Sequence, residues 1–106
     1  MNISSETINI LKNFSGINAN LVFKPGQGLS TISEAKTIMA KATVTEDFPV
    51  EFGVYDLSEF LSVMSLVDSP TLMFEDKSVF IHGPGGQKVR YYYSELEILK
   101  IGRAHV

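Results

Sequence analysis

The chain has 106 residues, a formal net charge of −3 and a hydrophobic fraction of 44%. This length favours one domain, and the composition is that of an ordinary soluble globule. No apolar run reaches the roughly 18 residues of a membrane span, and the lack of cysteine excludes disulfides and thiolate metal sites. The acidic balance argues against gripping phosphates with the whole surface, but it leaves room for a few basic groups on one DNA-facing side.

The first predicted helix covers residues 5–15, with Ser4 as its N-cap and Gly16 as its stop. Its apolar stripe consists of Thr7, Ile10, Leu11 and Phe14. Its opposite, polar face consists of Ser5, Asn9, Lys12 and Asn13. This spacing is typical of an amphipathic helix that packs on one side only.

A second helix is predicted for residues 57–67, because Leu57, Phe60, Leu61 and Met64 recur at helical spacing. Asp56 is its predicted N-cap, and Tyr55 and Phe60 could form a hydrophobic staple across the start of the helix. The opposite face carries Ser58, Ser62 and Ser65, which are small, polar and uncharged.

The remaining segments are predicted to be strands, and in two of them, residues 37–44 and 50–55, apolar and polar residues alternate. Four lie between the helices, at residues 21–24, 29–33, 37–44 and 50–55, and three follow the second helix, at residues 71–75, 79–82 and 88–93. Helix, four strands, helix and three strands predict an α+β fold in which both helices pack on one face of a curved, mostly antiparallel sheet.

Several patterns could suggest chemistry, but each has a simpler structural interpretation. Gly83-Pro84-Gly85-Gly86 lacks the spacing of a phosphate loop and predicts a hairpin turn. His82 has no partner at metal-ligand spacing and no nucleophile-elbow serine, so a surface histidine is favoured over a hydrolase site. The acidic pairs Glu46-Asp47 and Glu75-Asp76 lack the pattern of a calcium loop and are expected to be solvated. No catalytic residue, metal or cofactor is assigned.

A stacking platform for single-stranded nucleic acid is one alternative function. It would use Tyr91 and Tyr93, with Lys88 and Arg90 as the cationic groups. Sheet packing is the competing interpretation, since Tyr91 and Tyr93 share one strand face while Tyr92 takes the other. From the residues alone, a non-enzymatic α+β domain is the conclusion.

Three segments resemble the sliding clamps of T-even phages and their relatives. They are Leu11-Lys12-Asn13-Phe14 with Ile17-Asn18, Lys24-Pro25-Gly26-Gln27, and Tyr55-Asp56-Leu57-Ser58-Glu59-Phe60-Leu61 continuing to Leu66-Val67. The segments keep the family's order and comparable spacing up to residue 67. Beyond Pro70 only the general pattern is similar.

The resemblance implies a non-enzymatic DNA polymerase processivity factor that works in the cytoplasm of the infected bacterial host. In this family, subunits of two domains close head to tail into a homotrimeric ring around duplex DNA, with helices lining the hole. The resemblance also implies three protein partners: the phage DNA polymerase, an ATP-dependent clamp loader and late transcription factors. Carried over by position, Ser5, Asn9, Lys12 and Asn13 would face the DNA, beside the serine face of the second helix.

Residues 101–106, Ile-Gly-Arg-Ala-His-Val, are similar to a translated sequencing adapter. We therefore expect them to be a non-native tail. Residues 1–100 would then be the N-terminal clamp domain, and the natural chain is expected to continue into a C-terminal domain, where the family's pocket for partner peptides mainly lies.

Overall fold

The computed structural model describes residues 1–67 and 69–94, and the elements occur in the predicted order. They are α1 (Ser5–Ser15), β1 (Leu21–Phe23), β2 (Gly26–Ile32), β3 (Met39–Phe48), β4 (Phe52–Val54), α2 (Leu57–Met64), β5 (Thr71–Phe74), β6 (Ser78–His82) and β7 (Lys88–Tyr92). The predicted α+β class with antiparallel strands is confirmed. The expected tail at residues 101–106 lies outside the described residues.

The described strands form three hydrogen-bonded sheets, which we group into two units, rather than one uninterrupted sheet. In the first unit, which we call the ribbon, β1 pairs with β4 and β2 pairs with β3, both antiparallel. Pairing is interrupted between the β1–β4 pair and the β2–β3 pair, where Pro25 and Pro49 lack an N–H donor. Within the β2–β3 pair, the register shifts between Gly26 and Gly28. Gly26 has a φ of 112°, a conformation that glycine adopts without steric cost.

The second unit is a three-stranded meander in the order β5-β6-β7. An isolated antiparallel bridge between Gly53 of β4 and Ser94, just after β7, joins the meander to the ribbon. A second bridge, between Asn2 and Thr71, holds the chain start beside β5. The predicted single curved sheet is therefore divided into smaller sheets, and the Gly53–Ser94 bridge links the ribbon to the meander.

Aromatic rings join the layers in the core. Phe23 of β1 stacks on Phe52 of β4 with ring centroids 4.4 Å apart and planes 4° apart. Phe48 of β3 lies 5.1 Å from Phe23, and Phe60 of α2 meets Phe23 edge-on at 6.3 Å. Tyr93, just after β7, lies 4.9 Å from Phe52. Ribbon, helix and meander therefore share one aromatic cluster.

Both helices begin at the predicted caps. Ser4 Oγ accepts a hydrogen bond from the Thr7 amide at 3.2 Å, and Asp56 Oδ1 accepts one from the Glu59 amide at 3.2 Å. α2 ends at Met64, three residues before the predicted limit, because residues 65–67 form a turn. Tyr55, the outer residue of the predicted staple, is 64% exposed, so it buries little surface at the start of α2.

Glu46 contradicts the expectation of a solvated acidic pair, because its side chain is only 6% exposed. Its two carboxylate oxygens accept hydrogen bonds from the Ser4 amide at 2.5 Å and from the Thr7 hydroxyl at 2.6 Å. A third bond comes from the Thr45 hydroxyl at 3.1 Å. The carboxylate of a distant strand thus completes the N-terminal cap of α1, where the helix dipole favours negative charge.

These bonds also set the ionisation of Glu46. Burial of the carboxyl group raises its pKa, but the hydrogen bonds from Thr7, Ser4 and Thr45 outweigh burial and hold the pKa of Glu46 below its ordinary value. Because the folded pKa lies below the unfolded one, the stabilisation is present above about pH 4.3 and is lost as the pH falls through the folded pKa.

Replacing Glu46 with Gln should lower the free energy of unfolding at pH 7 by about 1–3 kcal/mol. The glutamine amide has only one acceptor oxygen, and its NH₂ group would face the N–H or O–H donors that now bind the second carboxylate oxygen. Urea denaturation followed by circular dichroism measures the change. The difference from the unmodified chain should shrink on acidification. Asp47→Asn, at the exposed neighbouring carboxylate, is the control, with an expected change below about 0.5 kcal/mol. Equal effects of the two substitutions would contradict the capping role.

Candidate DNA-facing surface

The polar face of α1 is exposed as predicted. The side chains of Ser5, Asn9, Lys12 and Asn13 all lie on the solvent side of the helix. The opposite side buries Thr7, Leu11 and Phe14 in the core. The sequence folds this way because a helix with one apolar stripe gains most by burying that stripe alone.

The serine face of α2 is exposed as well, through Ser58, Ser62 and Ser65. Two of the hydroxyl groups donate back to the helix: Ser62 Oγ to the Ser58 carbonyl at 2.9 Å, and Ser65 Oγ to the Ser62 carbonyl at 2.7 Å. A hydroxyl proton engaged in this way is not available to a phosphate oxygen. This surface is therefore polar yet poor in free donors.

The two faces belong to neighbouring helices, because α1 and α2 are in direct contact and share the core beneath them. We call the combined exposed surface of Ser5, Asn9, Lys12, Asn13, Ser58, Ser62 and Ser65 the helix face. Six of these seven residues thus lie on two adjoining helices, and Ser65 is the C-cap of α2.

The charge of the helix face is lower than its predicted residues suggest. Lys12 lies in the last turn of α1, but exposed Glu6 and Glu59 lie in the first turns of α1 and α2. Sequence reasoning left out these two glutamates, although helical spacing places Glu6 at the edge of the polar face of α1. One lysine beside two glutamates leaves this surface without net positive charge, so it does not attract phosphates over a long range.

The structure does not favour the alternative stacking platform. The ring of Tyr91 packs edge-on against Phe60, with centroids 5.0 Å apart, and burial, with the nearby charges of Glu59 and Asp56, raises the pKa of its phenol. Tyr93 is tilted against Phe52. The two rings therefore pack inward, while the exposed residues of β7 alternate to the other side of the meander.

The cationic residues of that alternative lie on the opposite side of the meander. Lys88 and Arg90 are both exposed, and the Nζ atom of Lys88 and the Cζ atom of Arg90 each lie 4.3 Å from the centroid of the Phe80 ring. Strand alternation separates them from Tyr91 and Tyr93, so the four residues never form one surface.

The glycine-rich segment and His82 are the remaining predicted features, and they lie in and beside the turn between β6 and β7. Gly83 to Gly86 form the turn between β6 and β7, closed by a hydrogen bond from the Gly83 amide to the Gln87 carbonyl at 2.9 Å. His82 is half-buried at the end of β6. Across residues 1–67 and 69–94, no three acidic or histidine side chains are grouped to hold a metal ion. No helix in that part of the chain is long and apolar enough to cross a membrane.

Fold and surface together define an α+β domain that presents a broad, weakly charged helical surface. The model of the DNA polymerase processivity factor family matches residues 4–96. The chain therefore belongs to this family, which by its name is accessory to a DNA polymerase.

Three relatives, each called a sliding clamp, match over most of the chain. The protein of Vibrio phage KVP40 is 40% identical over 99 residues, which cover 93% of this chain and 45% of the relative. Those of Escherichia phage RB69 and Enterobacteria phage T4 are 33% and 34% identical, over 84% and 76% of this chain and 36% of each relative. The chain thus spans less than half the length of these relatives.

Replacing Tyr91 with Ala should lower the free energy of unfolding by about 2–3 kcal/mol, because a half-buried ring is lost from the contact with Phe60. The matched control is Tyr92→Ala, since the neighbouring ring is 65% exposed and its loss should cost less than about 0.5 kcal/mol. Thermal or urea denaturation measures both. A larger loss for Tyr92 than for Tyr91 would reverse the assigned faces of β7.

Proposed function

We propose that this chain is the N-terminal domain of a sliding clamp, a ring subunit that encircles duplex DNA and tethers the replicative polymerase. On this proposal the helix face lines the hole, with Ser5, Asn9, Lys12 and Asn13 toward the DNA. The domain acts as a non-catalytic accessory to the polymerase. Residues 1–100 form this domain, a second domain completes the subunit, and residues 101–106 are a non-native tail.

The observation that carries the proposal is the polar but weakly charged character of the helix face. A clamp must hold DNA by enclosing it and must still move along it. Strong phosphate contacts would oppose that movement, and contacts to base edges would impose a sequence preference. Serine hydroxyls that donate to their own helix, beside a single lysine, suit a surface that touches DNA without gripping it.

The partners are part of the same proposal, and they are the ones that the resemblance to T-even phage clamps implies. Double-stranded DNA is held without sequence preference, and the phage DNA polymerase is the tethered enzyme. A clamp loader opens the ring, and late transcription factors use the loaded ring. Full-length subunits assemble as a homotrimer, in which head-to-tail contacts close when the rotation per subunit permits. The protein works in the cytoplasm of the infected bacterium.

Topological retention tests this function. A full-length subunit carrying this domain should remain on nicked circular DNA after loader treatment and should be released when the circle is cut, since its ends then become free. Polymerase product length measured with and without the loaded protein gives the second readout. Equal retention on cut and uncut DNA, or tight loader-independent binding to short oligonucleotides, would contradict the proposal.

Replacing Lys12 with Ala in that full-length subunit should weaken its residual DNA affinity and make the affinity less dependent on salt. The slope of log affinity against log salt should fall by about 0.9 for each lysine that contacts a phosphate. Fluorescence anisotropy at several salt concentrations measures the slope. Lys41→Ala is the control, because this exposed lysine lies on β3, outside the helix face. An unchanged slope for Lys12→Ala would remove Lys12 from the DNA-facing set.

A further inference from the structure

The outward side of the meander carries an exposed group of apolar and cationic side chains. Met73 of β5 is directly opposite Phe80 of β6, and Phe80 is directly opposite Arg90 of β7. One step along, His82 is opposite Lys88. We call Met73, Phe80, His82, Lys88, Arg90 and Tyr92 the meander patch.

Folding of this chain leaves the apolar members of the patch accessible. Met73 is 56% exposed and Tyr92 is 65% exposed, while Phe80 is half-buried. The other side of the same strands buries Leu72, Val79 and Ile81 in the core. Neighbouring exposed apolar residues on a sheet face are typical of surfaces that meet another molecule.

The two cations of the patch are held in place by aromatic rings. Lys88 and Arg90 both lie over Phe80, and the Arg90 guanidinium also donates to the Tyr92 hydroxyl at 3.3 Å. The ion pair of Arg90 with Glu75 is long, at 3.9 Å, and both side chains are about half exposed. Such a pair contributes little and can be exchanged for another carboxylate.

We propose that the meander patch docks an acidic peptide segment of a partner protein, with an apolar side chain set between carboxylates. The apolar side chain packs against Met73, Phe80 and Tyr92. The carboxylates of the segment pair with Lys88 and with Arg90, whose planar guanidinium group can donate two parallel hydrogen bonds to a carboxylate in place of Glu75. This inference concerns a different surface from the helix face and does not depend on the proposed clamp function.

Charge complementarity selects a peptide over a nucleic acid. The chain is acidic overall, and exposed Glu75 lies 3.9 Å from Arg90. The turn that follows Glu75 carries exposed Asp76 and Lys77, so it adds no net positive charge. A long polyanion would extend from two cations onto those acids, whereas a short segment can place its carboxylates at Lys88 and Arg90 alone. The patch also faces away from Tyr91, which contacts α2, so it is distinct from the helix face.

A labelled short peptide of alternating Asp and Leu is the probe, and fluorescence anisotropy with the full chain is the measurement. The unmodified chain should bind this peptide, and Lys88→Gln with Arg90→Gln should weaken binding by about tenfold. Lys12→Gln, a cation of the helix face, is the matched control and should leave the affinity unchanged. Circular dichroism verifies that the variants remain folded.

A charge reversal provides a gain of binding that loss of folding cannot mimic. Lys88→Glu with Arg90→Glu should bind a peptide of alternating Lys and Leu in preference to the acidic one. The proposal is overturned if the unmodified chain binds both peptides equally, if it prefers an oligothymidylate, or if the Gln variants keep full affinity. Self-association abolished by the Gln variants, without peptide binding, would assign the patch to a second copy of the chain.

Discussion

The Phe23–Phe52 stack, with ring centroids 4.4 Å apart, is the contact around which the layers of this domain meet. These rings come from β1 and β4 of the ribbon, Phe60 brings α2 to the stack, and Tyr93 brings the end of the meander. Offset and edge-on aromatic contacts bury large areas and fix orientation as well as distance. The packing of these rings orients β1, β4, α2 and the end of the meander. It thereby determines which face of each element remains exposed to water.

Two surfaces of opposite character result from that arrangement. The helix face combines small hydroxyls, two amides and one lysine, with two glutamates beside them. The meander patch combines aromatic rings, a methionine and two ring-bound cations. A surface that lets a partner slide and a surface that holds a partner need these opposite properties, because movement is favoured by weak contacts and retention by buried apolar area. The domain can present both surfaces, because the helix face and the meander patch lie on different sides of the same core.

The sequence was sufficient for the elements whose patterns are local. Helical spacing and caps at Ser4 and Asp56 predicted the starts of both helices, and apolar segments between turn residues predicted seven strands in order. The buried role of Glu46 could not be predicted, because its partner residues are 39 and 42 positions away in the sequence. Likewise, Pro25 and Pro49 indicate where strand pairing is interrupted, but they do not indicate which strands pair. Alternation along β7 does not indicate which of its two sides contacts α2.

The orientation of the domain on DNA is the central claim, and site-specific crosslinking tests it most directly. A photoreactive group is placed either at Asn9, on the helix face, or at Met73, in the meander patch, of a full-length subunit loaded on circular duplex DNA. The account predicts crosslinks to DNA from Asn9 and none from Met73. Crosslinks from Met73 with none from Asn9 would contradict it.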